Sequence, residues 1–234
     1  MWSYYGAKTN IVDLYPPPKY GKIIEPFAGT ARYALKYWER EVLLVDKYPV
    51  ITDIWKWLQL CSPDDIRKLP LVKAFQSLDD FNFDCAEAKL LMGFLVGYGL
   101  EQPRVPATNK QNVRPNFINF SLQRIAKNLH KIKHWEIRNG SYSDIENEEA
   151  TWFIDPPYQF GGACYPMSSK KINFQALGIW SMDRKGHIIV CESTKADWMD
   201  FKPMAKHKGR TGIQKEAIWS NYPTPYDNEQ QLLF

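Results

Sequence analysis

The chain has 234 residues, of which 44% are hydrophobic and 15% aromatic, enough for one sizeable core and too apolar for a disordered chain. The formal net charge of +4 permits a polyanionic partner without requiring one. The longest apolar run, Leu90 to Leu100, is too short for a bilayer, and Met1 to Tyr4 lacks the regions of a signal peptide, so a cytoplasmic protein without membrane contact is expected.

The chain opens on Tyr4-Tyr5-Gly6-Ala7-Lys8, a tight segment with one cation. After Tyr15-Pro16-Pro17-Pro18 comes Lys22-Ile23-Ile24-Glu25-Pro26-Phe27-Ala28-Gly29-Thr30, which reads as strand and tight turn, then a helix from Ala31 to Trp38. Gly29 lets the backbone approach a ligand closely. The turn is not G-x-G-x-x-G, so it carries no dinucleotide fingerprint. Val42 to Asp46 is a second apolar strand ending in an acid. Asp46 is placed either to accept hydrogen bonds from two ribose hydroxyls or to cap the helix that starts near Pro49. The spacing of Ile54, Trp57 and Leu58 predicts an amphipathic helix ending at Leu60. Ser62-Pro63 starts another, and Ala86 to Tyr98 reads as a buried helix.

From Gln102 to Trp135 there is no acid, yet there are seven Lys or Arg residues. Gln102 to Asn116 has no hydrophobic period and reads as an exposed loop bearing Arg104, Asn109, Lys110, Gln111, Asn112 and Arg114. Ser121 to Lys133 is an amphipathic helix, with Arg124, Lys127 and Lys131 off its apolar face. A solvated basic face is the ordinary explanation, but the acid-free length beside a polar loop favours phosphate contact. We expect DNA binding from these residues.

Trp135 to Ile145 begins as a strand and continues into Asn139-Gly140-Ser141-Tyr142-Ser143-Asp144. Thr151 to Ile154 is an uncharged strand that runs into Asp155-Pro156-Pro157-Tyr158. The prolines stiffen this turn, and Asp155 falls at a strand's carboxyl end, where open α/β sheets place their ligands. Gly161-Gly162 implies a mobile loop. Phe174 to Trp180 reads as a helix, and His187 to Glu192 and Ala217 to Trp219 as strands. Phe201 to Lys215 is again acid-free, with five Lys or Arg residues flanking any nucleic acid. The four cysteines form no C-x-x-C pair and lack histidines at zinc spacing, so free, mostly buried thiols and no metal site are expected. Alternating strands and helices indicate an α/β domain with a mainly parallel sheet.

The strand followed by Asp155-Pro156-Pro157-Tyr158 resembles the DPPY motif of the DNA methyltransferases that transfer a methyl group from S-adenosylmethionine to an amino nitrogen of adenine or cytosine. Lys8 and its aromatic, glycine-containing approach resemble the family's W-x-G-G-K segment, and Glu25 to Gly29 its E-P-F-x-G motif. The resemblance covers nearly the whole chain. It implies a seven-stranded methyltransferase fold with one reversed strand, with residues 1–60 and 134–234 as the catalytic domain and 61–133 as a helical insert for target recognition. It further implies that Asp155, Pro156, Pro157 and Tyr158 hold the target base. Tyr4, Gly6, Lys8, Glu25, Pro26, Phe27, Gly29, Thr30, Asp46, Ser141, Tyr142 and Asp155 would surround the cofactor, and Asn221 and Tyr222 would border the base pocket. The motif order is that of adenine-N6 enzymes of the phage and restriction-system type. The same pocket suits cytosine N4, and a catalytically silent DNA-binding module of this fold is the more distant alternative.

Overall fold

The computed structural model describes residues 1–97, 99–105, 115–209 and 212–227. Its strands are β1 (Lys22–Glu25), β2 (Glu41–Asp46), β3 (Glu136–Asn139), β4 (Ala150–Ile154), β5 (Gly186–Ser193), β6 (Lys202–Gly209) and β7 (Gly212–Ser220). They form one seven-stranded sheet in the order β3-β2-β1-β4-β5-β7-β6. Pairs from β3 to β5 are parallel, and β7 runs antiparallel to both β5 and β6. This is the mainly parallel sheet with one reversed strand expected of the methyltransferase fold.

Side-chain alternation along the strands builds two cores. Ile23, Val42, Leu44, Phe153, Ile189 and Ile218 point to one face, and Ile24, Leu43, Val45, Trp152, Ile154 and Val190 to the other. All five side chains of β4 are buried, as in a parallel strand covered on both sides. The first face is covered by helices α1 (Arg32–Lys36), α2 (Pro49–Leu60), α4 (Ala86–Leu95) and α5 (Pro115–Asn128), and the second by α6 (Phe174–Met182), through Phe174 and Leu177.

In α2, Pro49 presets the first turn and Ile51, Ile54, Trp55 and Leu58 make the buried stripe. In the short α3 (Pro63–Arg67), the Ser62 hydroxyl accepts from the Asp65 amide and the Asp65 carboxylate accepts from the Ser62 amide. Ile66, Leu91, Ile118, Leu122 and Ile125, all between residues 61 and 133, join the same core as Trp55. Helix α1 is shorter than the Ala31 to Trp38 expected and α6 runs on to Met182, and two other boundaries differ further. Helix α4 stops at Leu95, two residues before Gly97, and α5 starts at Pro115 rather than Ser121, so the end of the expected polar loop is helical. Among the described residues no helix is long and apolar enough to cross a membrane. All four cysteines are free; Cys61 and Cys191 are buried, Cys85 is half-buried and Cys164 is exposed.

Candidate active site

Strand order reverses between β1 and β4, whose described pairing is limited to Ile23 with Thr151 and Ile24 with Trp152. Beyond those pairs the two strands part towards their carboxyl ends. A crevice at such a switch point is where doubly wound sheets bind ligands. Here it is a cavity of about 960 Å³ lined by the ends of β1, β2 and β4, the Tyr4 to Ile11 segment and the loop after β4. That volume lies at the upper end for ligand pockets.

At its centre the Lys8 ammonium sits 2.7 Å from an Asp155 carboxylate oxygen, 4.0 Å from the Glu216 carboxylate and 4.6 Å from the centre of the Tyr158 ring. Lys8 is brought there by a turn in which the Ala7 amide donates to the Tyr4 carbonyl and Gly6 has a positive φ of 74°. A Cβ at Gly6 would fall 2.3 Å from the Tyr165 hydroxyl, so a side chain there would be strained by the positive φ and would have to displace the Tyr165 ring. The Tyr158 hydroxyl donates to Glu216. Burial alone would lower the Lys8 pKa, but the Asp155 and Glu216 carboxylates outweigh it and hold it above the usual lysine value. Burial raises the Asp155 carboxyl above the ordinary carboxylate range, although Lys8 pulls it back.

Glu216 was not anticipated from the sequence. The one available signal is alternation: Glu216 lies two residues before Ile218 on β7 and so shares its face.

The other end of the cavity is built on the turn after β1. Buried Glu25 accepts from the Ala34 amide at 2.6 Å, and burial pushes its carboxyl up to about 8. Asp46, at the end of β2, accepts from the Gly29 amide at 3.0 Å and the Tyr48 amide at 2.9 Å. Burial pushes its carboxyl up to about 6 against those two bonds. Tyr48, not Asp46, occupies the cap position of α2, so Asp46 bridges two loops rather than capping that helix. Ala31 stands in the left-handed region with φ 45° and ψ 50°, a backbone conformation that is costly for a residue with a Cβ. Tyr4 packs beside Gly29, and Pro26, Phe27, Thr30, Ser141 and Tyr142 complete the wall. The Phe27 and Tyr142 rings lie 5.5 Å apart at 32°. Asp144 is exposed and accepts from the Ser141 amide, closing a short turn instead of facing the cavity.

Apart from Asn221 and Tyr222, the cofactor and base residues expected from the sequence are brought together and line this cavity. Asn221 accepts from the Ile188 amide and donates to the Gly186 carbonyl, at the amino end of β5, on the opposite edge of the sheet. Tyr222 packs on His187 there. They follow β7, and because β7 is reversed its end meets the start of β5. Gly162 is buried, and a Cβ on it would come 2.7 Å from the Pro157 carbonyl carbon, so this glycine serves close packing behind the turn.

The basic residues separate. Lys127 is exposed, and Lys131 is half-buried with its ammonium 5.7 Å from the Trp38 ring centre. Arg124 instead lines the cavity and donates to the Met1 carbonyl at 3.0 Å. Arg32 lines it too and donates to the Trp2 carbonyl at 2.6 Å. Arg104 is exposed beyond α4. Asn109, Lys110, Gln111, Asn112 and Arg114 lie outside the described residues.

No protein-family model matches the chain, and no curated protein matches it. Solved structures similar to it include two proteins named as putative enzymes. Methyltransferase yhhF from Escherichia coli is 9% identical, with 84% of this chain and 74% of that one covered and a TM-score of 0.35. Methylase HI0767 from Haemophilus influenzae is 12% identical, with 86% and 80% covered and a TM-score of 0.38. Likeness at that level says nothing about substrate.

Proposed function

We propose that this protein transfers a methyl group from S-adenosylmethionine to the exocyclic N6 of adenine in DNA. The observation that carries the reading is the pairing of buried Lys8 with half-buried Asp155 of the stiff Asp155-Pro156-Pro157-Tyr158 turn, opening into the cavity that also reaches Gly29 and Asp46. The residues present fit the cofactor. Asp46 offers a carboxylate for ribose hydroxyls, the Gly29 turn offers backbone without side-chain bulk, and Phe27 and Tyr142 offer aromatic surface for an adenine ring.

Held by Asp46, the Gly29 turn, Phe27 and Tyr142, S-adenosylmethionine would supply a methyl group activated by its positive sulfur, the methyl–sulfur electron pair going to sulfur as the amine replaces it and the amine proton passing to solvent. The chain's own part is orientation and charge. An amino nitrogen conjugated to a base ring is a poor nucleophile because its lone pair is delocalised. The Asp155 carboxylate and the Pro156 carbonyl would accept its two N–H hydrogens and favour a tetrahedral nitrogen. Alignment supplies much of the acceleration, and fixed acceptors favour the positive charge developing on nitrogen. In duplex DNA the amine is stacked and paired, so the base must be flipped out, and the Tyr158 ring would then hold it. The acid-free segments, with Lys127 exposed on α5, would meet phosphates.

The test is to map methylated bases in DNA from cells expressing the protein, with Asp155→Ala alongside. We expect N6-methyladenine with the wild type and none above background with the variant, while the purified variant still binds S-adenosylmethionine. Methyl groups on cytosine N4 would reassign the target base. Near-normal turnover by Asp155→Ala would remove the chemistry.

A further inference from the structure

We infer that Glu216 is a positioning residue for methyl transfer, supplying the negative charge that Lys8 otherwise cancels on Asp155; this rests on the methyl-transfer reading above. Glu216 is buried on β7 and lines the cavity. Its strand pairing sets it opposite Ser193 of β5 and Ala205 of β6, in the sheet interior. A carboxylate there is costly unless partnered. Its partners are the Tyr158 hydroxyl, on the Asp155–Tyr158 turn, and the Lys8 ammonium, which pairs with Asp155 of that turn. A core arranged for stability alone would place an apolar side chain at this position, since hydrophobic replacements of buried ion pairs are often neutral or stabilising.

The charge count explains why an acid is there. Lys8 and Asp155 by themselves make a neutral pair. With Glu216 ionised, one ammonium lies between two carboxylates, and the cluster carries a net negative charge. During the reaction positive charge moves from sulfur to the amine nitrogen held at Asp155. A neutral pair does little for a cation forming beside it, whereas a cluster of net charge minus one attracts it, and the burial of Lys8 and Glu216 weakens the screening of that attraction. The hydrogen bond from Tyr158 fixes the ring that would stack on the base. Glu216 therefore acts through Lys8 and Tyr158 without touching the substrate.

Glu216→Gln separates charge from shape, because glutamine still accepts the Tyr158 hydroxyl but cannot balance Lys8. We expect kcat on DNA to fall at least tenfold, with KM for DNA and the Kd for S-adenosylmethionine changed less than threefold. Glu216→Asp, which keeps the charge, recovers most of the rate. Independently of turnover, nitrogen-15 NMR of labelled lysine should show the Lys8 ammonium titrating at lower pH in Glu216→Gln than in the wild type. Wild-type kcat in Glu216→Gln, or equal loss in the Asp and Gln variants, would overturn the inference, as would an unmoved Lys8 titration. A wild type that methylates no DNA would instead sink the substrate assignment, and the Lys8 titration would still decide whether Glu216 charges the cluster.

Discussion

Asp46 does two things with one carboxylate. It ties the Gly29 turn to the start of α2 through two amide donors, and it faces the cavity where a ribose would lie. Its carboxyl is pushed up to about 6 by burial, so its charge changes close to neutral pH. An ionised carboxylate is the better acceptor for hydroxyl groups. The affinity for S-adenosylmethionine should therefore rise as pH is raised through about 6 and level off above it. Asp46→Asn keeps the shape and one acceptor oxygen but not the charge. Calorimetry should find its binding flat across that range and weaker above it by about ten- to a hundredfold, the roughly 1.5–3 kcal/mol of a hydrogen bond to a charged group. Equal affinity at neutral pH would leave Asp46 with only its loop-bridging role.

At the scale of elements, β5 carries a titration remote from the cavity. His187 is fully buried near the start of β5, with neither ring nitrogen hydrogen-bonded among the described residues. The edge of Tyr222 lies against it, with ring centres 5.1 Å apart, and Lys19 is the charged group that acts on it. Burial first, then Lys19, lowers its pKa to about 4. The unfolded chain binds this proton near the ordinary value of about 6.5, and the folded protein does not until about 4. The sign follows: the histidine's contribution is fully present above about 6.5 and is lost as pH falls towards 4, by up to about 3 kcal/mol. Asp46 and Glu25, raised by burial, act in the opposite sense as pH rises, so the comparison must be differential. Urea unfolding of the wild type against His187→Phe should show the difference in stability growing in favour of the variant below about pH 6. A constant difference would mean that His187 takes up its proton at the same pH in the folded and unfolded protein, so that burial does not shift it.

The same elements show what could be read from the chain. Strands β1, β2, β4 and β5 were legible because helices cover both faces, which makes their central residues apolar runs with any charge at the strand ends. Asp155, Asp46, Gly29 and Lys8 were legible because they stand at strand ends and turns, where local chemistry sets position. Glu216 was not, because its facing depends on the pairing of β7 with β5 and β6, and the β6 side contains an irregularity between Pro203 and Ala205. The inward course of Arg124 was likewise hidden: it depends on where the Met1 carbonyl lies, 123 residues away in sequence. Periodicity on α5 put Arg124 with Lys127, and only tertiary structure separates them.

For the whole molecule, the sheet places chemistry at one edge and leaves recognition to what surrounds it. A net charge of +4 over 234 residues is too mild to hold DNA by itself, so the proposed DNA binding would depend on where cations are exposed. Lys127 is exposed on α5, and Lys131 follows one helical turn later, half-buried against Trp38. Neither lines the cavity, whereas Arg124 does. Phosphate contacts position DNA without reading its sequence, and each contributes about 0.9 to the slope of log affinity against log salt. Replacing Lys127 and Lys131 together by alanine should weaken binding to every duplex alike and flatten that slope by up to about 2, with the methylated motif unchanged. Arg124→Ala should behave differently. It removes a group bonded to the Met1 carbonyl and facing the cavity, so its loss should fall on cofactor binding or stability rather than on the salt slope. Binding measured over a salt series with two unrelated duplexes separates the cases. A lysine double variant that changed the methylated motif while keeping the wild-type slope would move α5 from positioning DNA to reading it.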